Sequence, residues 1–266
     1  MEHFKQLALI IAIMAFLYID HDAMAYTEHE EFSYTVGAWN GPDHWGDIRK
    51  DWETCKIGHS QSPVSIYDEK TEFVYQPEDL KWIYHPEKAV MKNLGHNIMI
   101  QCEDVVGGVW INKTEYPLKQ VHFHTPSENT LNGKKFDLEV HLLHQRTTDQ
   151  PMAMVSLLYE VGAPDPFFTK VEKHIRAISK KIDATADIGN IDPMEVIRKF
   201  GKHYYRLKGS ITIPPCTEGV TWTINKKIRT ISLEQLNLLK GAAIHGYAKN
   251  ARPVQPLNDR VVQLFV

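Results

Sequence analysis

The run Gln120-Val121-His122-Phe123-His124-Thr125-Pro126-Ser127-Glu128 constrains this chain more than any other stretch. In a β-strand, side chains alternate between faces, so His122 and His124 point one way while Val121 and Phe123 point the other. A later run, Phe136 to Leu143, alternates too: Glu139 and His141 share one face, and Leu138, Val140 and Leu142 share the opposite one. If the two strands are neighbours, three imidazoles converge on one point. Three neutral nitrogen donors with a fourth position open to water make a catalytic zinc site, whereas a structural site is usually closed by four protein ligands, often cysteines. A metal-bound histidine also needs an acceptor for its other ring nitrogen. Gln120 and Glu139, each two residues from a histidine on its own strand face, are placed to supply one. The bland reading is a core strand that carries histidines without a metal. The nearby carboxylates and amide weigh against it, and the residues point to a hydrolytic or hydrating zinc enzyme.

At 266 residues the chain is long enough for one large domain with a substantial core. Its 43% hydrophobic and 24% charged residues are those of a water-soluble globular protein. With 30 basic against 33 acidic residues, nothing argues for nucleic acid or an anionic membrane as a partner, and a small-molecule substrate is expected. Lys5 precedes the apolar stretch Leu7 to Ile19, and the small-x-small site Ala23-Met24-Ala25 follows. Residues 1–25 therefore read as a secretory signal cleaved after Ala25, with 26–266 as the mature domain. The apolar stretch falls short of the roughly 20 residues that a membrane span needs. A secreted or periplasmic destination implies an oxidising compartment, in which a Cys55–Cys216 bridge is expected. It would close a loop of about 160 residues, worth roughly 5 kcal/mol in loop-closure entropy, although connectivity cannot be proved from sequence. Cys102, in a strand-like stretch, reads as a buried free thiol.

The acidic stretch from Tyr26 to Glu31 leads into Trp39-Asn40-Gly41-Pro42-Asp43-His44-Trp45, a turn signal whose aromatic residues fold back on the body. From Ala89 to Glu160, short alternating runs separated by Gly, Asn and Pro predict a sheet of largely sequential strands. Three amphipathic helices are marked. Asp165-Pro166 caps one, with Phe167, Phe168, Val171, Ile175 and Ile178 at helical spacing; a short one starts at Asp192-Pro193; Ser232 with Gln235 opens the third. Tyr204 to Ser210 and Val220 to Ile224 read as strands, and Pro214-Pro215 as a rigid extended segment after Thr212. Asn112-Lys113-Thr114 has the form of a glycosylation acceptor, meaningful in a eukaryotic source.

Seven motifs in register carry a resemblance: Gln61-Ser62-Pro63-Val64, Gly95-His96, Gln120 to His124, Ser127-Glu128, Glu139-Val140-His141, Gly209 to Pro215 with Thr221-Trp222, and Asn250 to Pro256. Together, over nearly all of the chain from about Tyr34, they resemble an α-class carbonic anhydrase. The resemblance implies a mostly β fold with peripheral helices, a single α+β domain on a large, twisted, mainly antiparallel central sheet. It implies Zn²⁺ on His122, His124 and His141 in a conical cleft, and reversible hydration of carbon dioxide to bicarbonate and a proton. Zinc lowers the pKa of a bound water to about 7, which makes a hydroxide available near neutral pH.

By the same resemblance, Thr212 accepts a hydrogen bond from that hydroxide and passes its own proton to Glu128, and His96 stands at the proton-shuttle position. A histidine suits that role because its pKa lies near neutrality. Leu143, Met154, Ile211, Val220 and Trp222 would form an apolar wall for carbon dioxide, although core packing would explain them too. His144 and His174 show no such match and read as surface or structural. The chain departs from the family pattern in three places: Ile213 beside Thr212, Asn129 where relatives commonly carry histidine, and Leu207 where they commonly carry tyrosine. Loss of both hydrogen-bonding partners together costs less than loss of one, so the paired change touches local stability more than chemistry.

Two rivals are distinguishable. A cupin also pairs His-x-His with a following Glu, here His122, His124 and Glu128, but leaves Glu139-x-His141 unexplained. A secreted, non-enzymatic relative that serves as a binding or matrix protein would be expected to lose a zinc histidine, and this chain has not.

Overall fold

A computed structural model describes residues 31–75, 80–145, 151–244 and 247–266. The expected signal, residues 1–25, and nearly all of the acidic stretch that follows lie outside the described residues.

Alternation of apolar side chains sets the strands. In chain order they are β1 (Ser65–Ile66), β2 (Glu72–Val74), β3 (Leu80–Tyr84), β4 (Glu87–Asn93), β5 (Ile98–Cys102) and β6 (Gly107–Ile111). Next come β7 (Thr114–His124), β8 (Thr130–Leu131), β9 (Lys134–Lys135), β10 (Leu138–His144) and β11 (Ala153–Val161). The last are β12 (Thr185–Ile191), β13 (Tyr204–Ser210), β14 (Glu218–Asn225), β15 (Arg229–Ile231) and β16 (Gln263–Phe265).

The main sheet runs β12-β4-β5-β7-β10-β11-β14-β13-β16-β2. Most neighbours are antiparallel; β11 with β14 and β16 with β2 are parallel, so the sheet is mixed. This is the expected mostly β, single-domain architecture. The pairing that matters for chemistry is β7 with β10, where His122 lies opposite His141 and His124 opposite Glu139. Strand alternation and this register bring the three histidines to one face.

Helices cover the periphery. After two single turns, α1 (Trp45–Ile48) and α2 (Thr54–Ile57), helix α3 spans Pro166–Ile178. Its N-cap Asp165 accepts from Phe167 N–H at 2.8 Å, and its apolar stripe is buried against the back of the sheet. Helix α4 (Met194–Ile197) is one turn, and α5 (Leu233–Ala242) begins with the expected reciprocal Ser232–Gln235 cap. Among the described residues, no helix is long and apolar enough to cross a membrane.

Among the described residues the core falls into three clusters. One lies between the sheet and α3 and α5, one beneath β13 and β14, and a third gathers Tyr34, Trp45, Trp52, Cys55, Cys216 and Tyr247 near the histidines. Trp45 folds back and is fully buried, whereas Trp39 is 75% exposed, so only part of the N-terminal aromatic stretch packs as expected. Cys55 and Cys216 are bonded, with Cα atoms 5.0 Å apart, while Cys102 is a half-buried free thiol. The Pro214-Pro215 segment is a turn rather than an extended stretch, because Cys216 N–H donates to the Ile213 carbonyl at 2.8 Å.

Candidate metal centre

The imidazoles of His122, His124 and His141 have ring centroids 5.2, 5.2 and 4.7 Å apart, and one donor atom of each lies within 4.8 Å of the others. His124 and His141 are fully buried. Burial depresses the pKa of His122 and His124, so these rings are neutral donors at physiological pH.

Each ring's second nitrogen decides its orientation. His141 Nε2 donates to Glu139 Oε1 at 2.9 Å, as expected for Glu139. His124 Nδ1 donates to the backbone carbonyl of Asn250 at 2.7 Å. These contacts leave His124 Nε2 and His141 Nδ1 buried, with no hydrogen-bond partner among the described residues. Orphaned polar atoms are costly in a folded core, and two of them turned to one point fit a cation. His122 Nδ1 is also buried, with no partner among the described residues. The expected bond from Gln120 is not formed: Gln120 lies half-buried on the cleft wall beside His122, with no hydrogen bond among the described residues to pin its carboxamide.

Two buried carboxylates flank the histidines in opposite electrostatic settings. Glu139 accepts from Glu128 N–H at 2.7 Å, Asn129 N–H at 2.8 Å, Asn129 Nδ2 at 2.7 Å and Ser156 Oγ at 2.5 Å, besides His141. Burial raises its pKa, but the adjacent His141 ring and the hydrogen bonds from His141, Ser156 and Asn129 outweigh burial and bring it to about 2. For Glu128 burial prevails and pushes the pKa up to about 7, against His141, Thr212 and the Arg252 amide. Its Oε1 accepts Arg252 N–H at 2.9 Å, and its Oε2 lies 3.6 Å from His124 Nε2 and 3.9 Å from His141 Nδ1. The buried Thr212 hydroxyl is close enough to favour the charged form of Glu128, although no bond of ordinary geometry completes Oε2.

A cleft of about 50 Å³ opens beside the histidines, with Leu143, Met154, Ile211 and Ile213 as its apolar side and Thr212 and Gln120 among its polar groups. Two expected wall residues lie behind it. Val220 is wholly within the core, and Trp222 packs edge-on against His141 at 5.0 Å and donates to the Ser210 carbonyl at 3.1 Å. Both therefore support the site from the interior. His96 does line the cleft, but it packs against Phe32 and Tyr247 at centroid distances of 5.3 and 6.2 Å. Burial depresses its pKa to about 4, well under the near-neutral value expected for a shuttle. His144, read from sequence as surface or structural, is buried and bonded to the Tyr84 hydroxyl at 2.6 Å, whereas His174 lies on helix α3.

Several supporting groups had no role in the sequence reading: the Asn250 carbonyl, Ser156, the Asn129 carboxamide and buried Arg252. Arg252 Nη1 donates to Gln61 Oε1 and the Ser62 carbonyl, both at 2.8 Å, and Nη2 donates to the Cys55 carbonyl at 3.0 Å. Asn250 and Arg252 fall in a quoted motif, so their importance was signalled but their partners were not. Asn129, whose change raised a question of local stability, has both carboxamide ends bonded, since its Oδ1 accepts Val64 N–H at 3.0 Å.

Three histidines, two of them fully buried, at the base of a small cleft in a mixed sheet form a cluster that could hold a metal ion. The chain belongs to the eukaryotic-type carbonic anhydrase family, whose pattern it matches over residues 40–265. It is 39% identical over 260 residues to alpha carbonic anhydrase 7 of Arabidopsis thaliana, covering 96% of this chain and 94% of that one. Its fold is similar to dioscorin crystallised with ascorbate, with TM-score 0.84, 40% identity, and coverage of 89% of this chain and 98% of that one. It is also similar to the α-carbonic anhydrase of Thermovibrio ammonificans in complex with sulfanilamide, with TM-score 0.76, 32% identity and coverage of 87% and 98%. The family accounts for Glu139-x-His141, which a cupin reading leaves unexplained.

Proposed function

We propose that the chain is a zinc-dependent carbonic anhydrase that catalyses the reversible hydration of carbon dioxide to bicarbonate and a proton. The observation that carries this reading is the pair of orphaned nitrogens, His124 Nε2 and His141 Nδ1, each left over from a ring whose other nitrogen is fixed. His122, His124 and His141 would hold the ion. Zinc bound there supplies a Lewis acid that brings the pKa of a ligated water to about 7.

The protein's own groups do the rest. Glu128 accepts the Thr212 proton; the Thr212 oxygen is then committed as an acceptor and orients the attacking water. Leu143, Met154, Ile211 and Ile213 offer an apolar side to carbon dioxide and exclude bulk water. His96 is the group at hand to relay the product proton, with the low affinity that its burial imposes. Residues 1–25 act as an export signal, and the Cys55–Cys216 bond agrees with an oxidising destination.

The test is stopped-flow hydration of carbon dioxide from pH 6 to 9, with bound zinc counted in the same sample and His122→Ala measured alongside. About one zinc per wild-type chain, a rate that rises through neutrality, and a loss of both by more than about 100-fold in the variant are expected. Zinc without hydration would remove the enzyme reading and favour a binding role, for which the dioscorin–ascorbate complex is the precedent.

A further inference from the structure

The tip of the β6–β7 hairpin plays no part in the proposed chemistry. Asn112-Lys113-Thr114 is the single Asn-x-Ser/Thr sequence in the chain. Ile111 and Thr114 close the hairpin, and Asn112 and Lys113 form its turn with φ of 49° and 66°. Positive φ at both central positions is the type I′ geometry, which favours asparagine. Asn112, Lys113 and Thr114 are all exposed. Thr114 and His122 occupy the same strand and are separated by about 26 Å at the usual rise, so a bulky group on Asn112 stands clear of the cleft.

We propose that Asn112 is the acceptor of an N-linked oligosaccharide, added as the chain enters a eukaryotic secretory lumen; the proposal rests on the secretory reading above. In that step Asn112 Nδ2 forms a C–N bond to the anomeric carbon of a polyprenyl-diphosphate-linked oligosaccharide. The anomeric C–O bond to diphosphate breaks, and the amide gives up one proton.

The full chain, expressed from residue 1 in cultured human cells, is recovered and its intact mass measured before and after a peptide N-glycosidase. A mass excess that the enzyme removes, leaving aspartate at 112, is expected for the wild type and absent from Asn112→Gln and Thr114→Ala. Hydration activity is expected to be the same in all three. A secreted wild type with Cys55 and Cys216 bonded but an unmodified mass overturns the proposal and leaves the secretory reading intact. A cytosolic chain with free thiols overturns both.

Independently, the geometry assigns Asn129 as a positioning residue for the metal centre, an inference that rests on the zinc reading. Its Nδ2 and N–H grip the two oxygens of Glu139 at 2.7 and 2.8 Å, and its Oδ1 is anchored by Val64 N–H at 3.0 Å. Glu139 Oε1 in turn receives His141 Nε2–H at 2.9 Å. One carboxamide, held at both ends, thus fixes the acceptor that makes His141 present Nδ1. Asn129→Asp keeps the shape but sets an acceptor against Glu139, and Asn129→Ala removes the donor without adding charge.

Competition with a chromophoric chelator is expected to show zinc affinity reduced about 10- to 100-fold in Asn129→Asp and less in Asn129→Ala. Nitrogen-15 spectra of the metal-free proteins are expected to show one His141 tautomer, Nε2–H, in the wild type and a mixture in the variants. Affinities within twofold of wild type and an unchanged tautomer in folded variants overturn the assignment. A wild type that binds no zinc overturns the functional reading instead, and the tautomer comparison still decides the role of Asn129.

Discussion

His124 Nδ1 donates to the backbone carbonyl of Asn250 at 2.7 Å, joining residues 126 positions apart. The same asparagine's side chain accepts from Thr125 N–H at 2.8 Å and donates to the carbonyls of His96 and Phe123, both at 3.0 Å. One buried residue thus clips the C-terminal segment to the strand that carries two of the histidines.

Asn250→Ala removes three side-chain hydrogen bonds, two of them buried, and leaves their partners in place. A loss of about 3 kcal/mol in unfolding free energy is expected, together with a roughly tenfold weaker hold on zinc as His124 gains freedom. Urea denaturation and zinc competition measure the two effects.

Thr212 is expected to act on rate and not on metal binding. Thr212→Val should keep its zinc while kcat/KM for hydration falls about 100-fold, the scale of a misoriented nucleophile, and Thr212→Ser should recover most of the loss. Equal losses in Ser and Val would remove the hydroxyl from the mechanism.

His96 should be a weak proton carrier, because its burial against Phe32 and Tyr247 depresses its pKa to about 4. Turnover is then expected to rise several-fold on addition of imidazole buffer, with kcat/KM unchanged. Phe32→Ala, which opens the ring to solvent, should reduce that dependence. A kcat insensitive to buffer would show that protons leave efficiently by the enzyme's own route.

The metal-free protein should lose stability on acidification. Burial holds His122 and His124 below their ordinary value, His96 at about 4 and His144 at about 3. Each binds its proton more weakly when folded, so its contribution is present above about 6.5 and is lost as pH falls toward the folded values. Glu139, held at about 2, loses its contribution in the same direction below about 4.5. Glu128, raised to about 7, acts oppositely: its contribution is complete below about 4.5 and lost as pH rises to 7. Four histidines outweigh one carboxylate, so urea midpoints in chelator should climb from pH 4.5 to 6.5. Glu128→Gln should make the climb steeper.

Much of the centre is legible in the sequence. Alternation along β7 and β10 assigned His122, His124 and His141 to their faces and named Glu139 as a ring acceptor. The Asp165 and Ser232 caps located α3 and α5. The legible features are those written in neighbouring residues. Gln120 satisfied the same spacing rule as Glu139 and yet makes no bond to His122, because spacing selects a face and cannot select a rotamer.

The sequence by itself determined strand phase, helix starts and the chemical identity of the donors, because these depend on local sterics and on hydrogen bonds between residues a few positions apart. Only the tertiary structure decided that β10 lies beside β7, that the carbonyl of Asn250 meets His124, that Val220 and Trp222 lie behind the wall, and that His96 is half-buried against Phe32. Those outcomes depend on which distant segments pack together, and the burial that shifts each pKa arises only once they have done so.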